Sequence, residues 1–163
     1  MTANHRHAWV LAAALAFVST PTLACVMAPP TTDEAMAERV RNHQATLWAR
    51  SDAVFLSQTS GFDRVPLTNS SVEGNSTTLV PSLALKGDLP VEPVGIRHTT
   101  FTSCGPIPFL DALSAREGDW FVIFARVLPS GLSVDATVPI DELVDPEALR
   151  AWTKGYEPAT PEA

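Results

Sequence analysis

Two cysteines, Cys25 and Cys104, carry the most definite chemistry in this chain. Cys25 follows Thr22-Leu23-Ala24, a small-residue exit from the apolar run 8–18, which is itself preceded by Arg6. That is the pattern of a secretory signal peptide over residues 1–24, cleaved after Ala24 so that Cys25 opens the mature protein. The run is shorter than the roughly 20 apolar residues a membrane-spanning helix needs. Three fates are then open to Cys25: a disulfide with Cys104, a lipid anchor on its thiol, or a free N-terminal cysteine with metal-binding potential.

Exported chains meet oxidising conditions, and two cysteines in such a chain usually pair. A Cys25–Cys104 bridge closes a loop of about 79 residues, for which chain entropy gives roughly 4–5 kcal/mol. It would also order a terminus that otherwise frays. A lipoprotein anchored through Cys25 is the competing reading. Its signals favour Leu three residues before the cysteine and a small residue two before; here Thr22 and Leu23 reverse that order. Acylation would consume the thiol and leave Cys104 unpaired.

The other residue types capable of chemistry form no recognisable set. After residue 24 the histidines are His43 and His98, in no His-Glu-x-x-His or comparable metal-ligand spacing. His43 lies near an apolar helical stripe and reads most simply as a partly buried structural histidine. No Gly-x-Ser-x-Gly elbow and no phosphate-binding loop is present. Asp111, Glu117, Asp119, Asp135, Asp141 and Glu142 read as turn, cap and solvated-face residues, with no pair singled out as acid and base. No catalytic residue, metal ligand or cofactor motif is assigned, and the expectation is a protein that is not an enzyme. Asn69-Ser70-Ser71 and Asn75-Ser76-Thr77 match glycosylation sequons and read here as a flexible Ser/Asn-rich surface loop.

Residues 25–155 have the length of one domain with a substantial core, and monomeric behaviour is expected. The formal charge of the whole chain is −7, and losing Arg6 makes it more negative. No Lys/Arg cluster remains, which argues against nucleic acid as a partner and against an anionic membrane surface unless Cys25 is lipidated. The segment Thr31-Thr32-Asp33-Glu34 reads as a capping box with Thr31 as N-cap. Met36, Val40, Leu47 and Trp48 recur at helical period, predicting an amphipathic helix that ends near Ser51-Asp52. The period then changes to two. Strands are expected at 53–58, at 77–86 with a bulge or edge at Pro81, at 94–98, and at 120–125 as a central strand. Pro129-Ser130-Gly131 makes a hairpin turn into a fifth strand, where Leu132, Val134, Ala136 and Val138 alternate with polar residues. A short helix is predicted within 108–115, and a C-terminal helix from Pro146 to about Lys154 with Asp145 as N-cap. The tail 156–163 is rich in Pro, Thr and Glu and reads as disordered. Five short strands with a helix between the third and fourth fit a mainly β fold, an antiparallel Greek-key barrel of the OB type, ahead of a β-sandwich.

In this order, Cys25, Pro29-Pro30, Ser51-Asp52-Ala53-Val54-Phe55-Leu56, Leu85-Lys86-Gly87, Ser103-Cys104-Gly105 and Gly118-Asp119-Trp120-Phe121-Val122-Ile123-Phe124 resemble the netrin-like modules. That group includes the tissue inhibitors of metalloproteinases and small exported bacterial relatives. The resemblance runs from Cys25 to about Thr137. It implies an OB-fold barrel with the N-terminal cysteine tied to the sheet, here by Cys25–Cys104. Members usually begin Cys-x-Cys, the second cysteine pairing with one in the last strand. Met27 stands at that second position and 132–138 holds no cysteine, so both halves of the second bridge are missing together. In the inhibitors the terminal amine and carbonyl of the matching cysteine chelate the protease's zinc. The resemblance therefore implies Cys25 and Val26 as partner-binding residues and a metalloprotease as one conceivable partner. An α-amine has a pKa near 8, which leaves a neutral, ligating fraction at neutral pH. The expected function is an exported binding or structural protein of the cell envelope, periplasmic or secreted, inhibitor-like through its N-terminal cysteine; the alternative is a lipoprotein anchored at Cys25.

Overall fold

The computed structural model describes residues 32–155. The segment 1–31, with Cys25, Val26 and the expected cap Thr31, and the tail 156–163 lie outside the described residues. Helix α1 spans Asp33–Arg50. Its N-cap is Thr32, one residue later than expected: the Thr32 hydroxyl accepts the Ala35 N–H at 3.1 Å. The residue three beyond that cap is Ala35, so no Glu closes a capping box. At the other end Ser51 breaks the helix, its N–H and hydroxyl both donating to the Leu47 carbonyl.

Only the last two turns of α1 pack on the body. Leu47 and Gln44 are buried, whereas Met36 and Val40 are 38% and 37% exposed, and His43 is exposed rather than partly buried. Gln44 explains the attachment. Its Nε2 donates to the Glu142 carbonyl at 2.8 Å, and its Oε1 accepts the N–H groups of Val144 and Asp145. One buried amide thus uses both ends to fix the helix to the segment before the C-terminal helix.

The strands are β1 (Ala53–Pro66), β2 (Glu73–Lys86), β3 (Val94–Arg97), β4 (Thr100–Thr102), β5 (Gly105–Ile107), β6 (Trp120–Leu128) and β7 (Gly131–Pro139). Five form one antiparallel sheet in the order β3-β2-β1-β6-β7, and β4 pairs with β5 separately. β1 and β2 are each longer than the alternation predicts, so the supposed loop around Asn75 is the start of β2. Pro81 sits beside a register shift, where Ser57 pairs with Pro81 and Leu56 with Leu83. Ser82 is the residue passed over, so the bulge lies directly after a proline that cannot donate to the ladder.

Both faces of the sheet are covered, which accounts for the continuous apolar runs in β1 and β6. On the inner face Phe55, Leu79, Ile96, Phe121, Ile123 and Ala125 meet Leu110, Ala112 and Leu113 of a connecting segment whose 3-10 helix is Asp111–Ser114. On the outer face Val54, Val122, Phe124 and Val138 meet Leu47 of α1 and Ala148 of α2, the helix Pro146–Gly155. Asp145 caps α2 through Oδ1, which accepts from Glu147 and Ala148.

The fifth strand departs from the simple alternation. Phe124 pairs with Ala136 but Ala125 with Val134, so Asp135 is passed over. This bulge sends Leu132 and Val134 to the inner cluster and Ala136 and Val138 to the outer one. Asp135 itself is turned to Arg126, whose Nε and Nη2 donate to it at 2.7 and 2.9 Å.

The expected closed barrel is not formed; the sheet is open between β3 and β7. β3 has four residues, and after His98 the chain leaves towards β4, so there is no strand left to pair with β7. The 3-10 helix fills the seam instead. Asn75 of β2 donates its side-chain amide to the Leu113 carbonyl at 2.8 Å, and Ala112 N–H donates to Thr137 Oγ1 of β7 at 3.0 Å.

Candidate functional site

Cys104 occupies the turn of the β4–β5 hairpin, Thr102-Ser103-Cys104-Gly105, and Gly105 supplies the positive φ of +111° that the turn needs. Thr102 locks this tip: its hydroxyl donates to the Gly105 carbonyl and accepts the Cys104 N–H. A two-stranded ribbon is marginal alone, and the β1–β2 turn holds this one in place. Asn69 Nδ2 donates to the Phe101 carbonyl at 2.9 Å while Phe101 N–H donates to Asn69 Oδ1 at 2.8 Å. One side chain thus satisfies both backbone groups of a strand residue, as a third strand would. Thr68 adds two donors to the Thr99 carbonyl. The sequon asparagines are therefore structural: Asn69 is the hairpin clamp, and Asn75 uses Nδ2 on Leu113 and Oδ1 on Arg64.

Of the sequence-derived site residues, Cys104 is placed on this exposed tip and is not a free thiol. Cys25 and Val26 lie outside the described residues.

Next to the hairpin a cleft of about 580 Å³ opens between the start of β2, His98 and the connecting segment. His98 is 9% exposed, and its Nδ1 accepts the Asn75 N–H at 2.9 Å. Neutral imidazole with Nδ1 as acceptor carries its proton on Nε2. Burial holds the His98 pKa below the ordinary 6.5, which favours that neutral form. Glu73 lies on the β2 wall beside His98, Asp111 and Glu142 line other parts of the cleft, and Phe109 is 66% exposed at its rim. Burial raises the Asp111 pKa, and its carboxylate makes no hydrogen bond or ion pair among the described residues.

Ser114, His98 and Asp111 all line this cleft, the residue types of an acyl-transfer triad. The hydrogen bonding runs the wrong way for that chemistry. A triad histidine donates from Nδ1 to the carboxylate and accepts the serine proton at Nε2. His98 accepts at Nδ1, so its Nε2 is occupied by a proton and is no base. Among the described residues no three His, Cys, Asp or Glu side chains are grouped to hold a metal ion, and no helix is long and apolar enough to cross a membrane. The cleft thus presents the His98 Nε2 donor, carboxylates without partners among the described residues and an exposed aromatic ring.

Of the acidic residues read from the sequence, the structure brings Asp111 and Glu142 to one cleft. Asp135 is committed to Arg126, and Asp119 accepts the Arg116 N–H at 2.8 Å. The sequence gives no sign of Gln44 or Phe109, and marks Asn69 only as part of a sequon in a surface loop. Nothing local marks an asparagine that will satisfy a strand or a phenylalanine that will stay in water. Compared with family models, with curated proteins and with solved structures, the chain gives no match.

Proposed function

We propose that this is an exported, non-enzymatic binding or structural protein of the cell envelope, whose mature N-terminus is fastened through Cys25 to Cys104. The observation that carries this reading is the mount of Cys104. Its hairpin is separate from the main sheet yet locked to the β1–β2 turn by both ends of the Asn69 amide. A terminus tied there would be held against a fixed platform, and preorganisation of that kind lowers the ordering cost of binding. Cys104 is not a free thiol, which favours the bridge over lipidation of Cys25.

The OB-like reading belongs with this proposal. The order β3-β2-β1-β6-β7, with a helical segment between β3 and β6, is what a five-stranded Greek-key barrel gives when it is opened between its third and last strands. In the inhibitor form of the proposal, the free amine and carbonyl of Cys25 bind the zinc of a metalloprotease and Val26 enters the adjoining pocket. Titrating a zinc protease with the mature protein, and with a form carrying one extra residue before Cys25, tests this. Inhibition by the mature form alone is expected. No inhibition by either form, or equal inhibition by both, overturns the inhibitor role.

A further inference from the structure

Helix α1 is attached to the body near its C-terminal end, which leaves Met36 and Val40 exposed on the half that stands clear. Thr32, Met36, Val40 and His43 recur three or four residues apart, so they share one side of the helix. Further along that side a groove of about 360 Å³ separates Val40 and His43 from Phe109, with Val138 of β7 also in its lining. Phe109 is largely exposed, an apolar ring standing in water on the far wall. It also reaches the hairpin: a Cβ placed on Gly105 would lie 4.0 Å from its Cε1, which sets the ring against the residue after Cys104. The groove therefore lies between two fixed points, the cap of α1 at Thr32 and the hairpin tip at Cys104.

A bridge from Cys25 to Cys104 obliges the chain before Thr32 to join those two points. Cys25 precedes Thr32 by seven residues, a reach of at most about 25 Å when fully extended. A path back along the helix from Thr32 past Val40 uses about 12 Å of it, at a rise of about 1.5 Å per helical residue. Roughly half of the reach is then left for crossing Phe109 to the hairpin, with little slack for a detour through solvent. The composition suits that path. Val26-Met27-Ala28-Pro29-Pro30-Thr31 carries no charged side chain, and the two prolines and the residue before them favour extended backbone. Tethered at both ends, such a segment has a high effective concentration over the groove, so modest apolar contact is enough to hold it.

Given the Cys25–Cys104 bridge proposed above, on which this reading rests, we infer that residues 26–30 are the occupant of the groove. They form a strap along the Met36–Val40 side of α1 that covers the Phe109 ring. The strap fastens the outer half of α1 to the body. It also fixes the direction in which the terminal amine of Cys25 leaves the hairpin.

The test is NMR on the exported, mature protein, with peptide mapping of the same sample to establish the bridge. Nuclear Overhauser contacts from the Phe109 ring to the Met27 methyl or to the Pro29 and Pro30 rings are expected, unchanged on dilution. Phe109→Ala should speed amide exchange at Met36–Val40 by roughly three- to tenfold while the β1–β6 ladder keeps its rates, which also shows that the variant is folded. Reduction of the unsubstituted protein should speed the same amides. A bridged sample without the ring contacts overturns the strap and leaves the bridge standing. Contacts that vanish on dilution mean that a second copy fills the groove, and they overturn the strap too. Exchange at Met36–Val40 indifferent to both Phe109→Ala and reduction has the same consequence, whereas a sample without the bridge overturns bridge and strap together.

Discussion

Asn69 and His98 show how single side chains decide what surrounds the two candidate sites. Asn69 satisfies both backbone groups of Phe101, so Asn69→Ala removes two hydrogen bonds and frees the hairpin that bears Cys104. The cost should be about 1 kcal/mol per lost bond at an exposed position. Hydrogen exchange should show a faster Phe101 amide with the β1–β6 ladder unchanged. His98 makes stability depend on pH. Its folded pKa is lowered by burial, so below about pH 6.5 the unfolded chain takes up a proton that the folded chain resists. Its contribution is intact above that value and is lost as pH falls below it. Urea unfolding at pH 7.5 and pH 5.5 should show a lower midpoint at the acidic pH, and His98→Gln should reduce the difference. Asp111 acts oppositely: its raised pKa favours the folded state most at low pH, and that advantage fades as pH rises through its titration. None of these roles was legible in the sequence. Glu73, His98, Asp111 and Glu142 lie far apart along the chain, and only the tertiary fold brings them to one cleft.

At the scale of elements, the stronger local signals were readable and the weaker ones were not. The β6–β7 hairpin follows from an apolar run, a Pro-Ser-Gly turn and an alternating run, and the structure pairs those strands. The bulge at Asp135 was hidden because the alternation of Leu132, Val134, Ala136 and Val138 continues through it. The second half of β1, Thr59–Pro66, mixes polar residues, Gly61 and Phe62, so its extension depends on pairing with β2 rather than on pattern. Helix α1 was legible as a helix, but its packing was not: the apolar stripe predicts contact along its length, whereas Gln44 and Leu47 make the attachment near one end. Gln44→Ala should therefore destabilise by about 2 kcal/mol, since it strands the Val144 and Asp145 N–H groups and the Glu142 carbonyl. Thermal or urea unfolding checks the size. Gly87 ends β2 with φ +67°, and a Cβ there would collide with the Asp52 carbonyl oxygen. Gly87→Ala should cost about 2 kcal/mol, from backbone strain added to that clash.

For the whole molecule, the mainly β character and two flanking helices follow from periodicity and turn residues, while closure could not be read that way. A barrel and an open sheet need the same alternating strands. They differ in whether β3 is long enough to meet β7, and here a 3-10 helix takes that place through Asn75 and Thr137. The result is a sheet packed on both faces, with a clamped hairpin and an acidic cleft side by side at one seam. The central claim is that the mature N-terminus is tied to that hairpin. Peptide mapping of the exported protein by mass spectrometry, without and with reductant, tests it most directly. The account predicts a fragment in which Cys25, as the first residue, is cross-linked to Cys104 and which separates into two peptides on reduction. A lipid on Cys25, or free thiols on both cysteines, would contradict it.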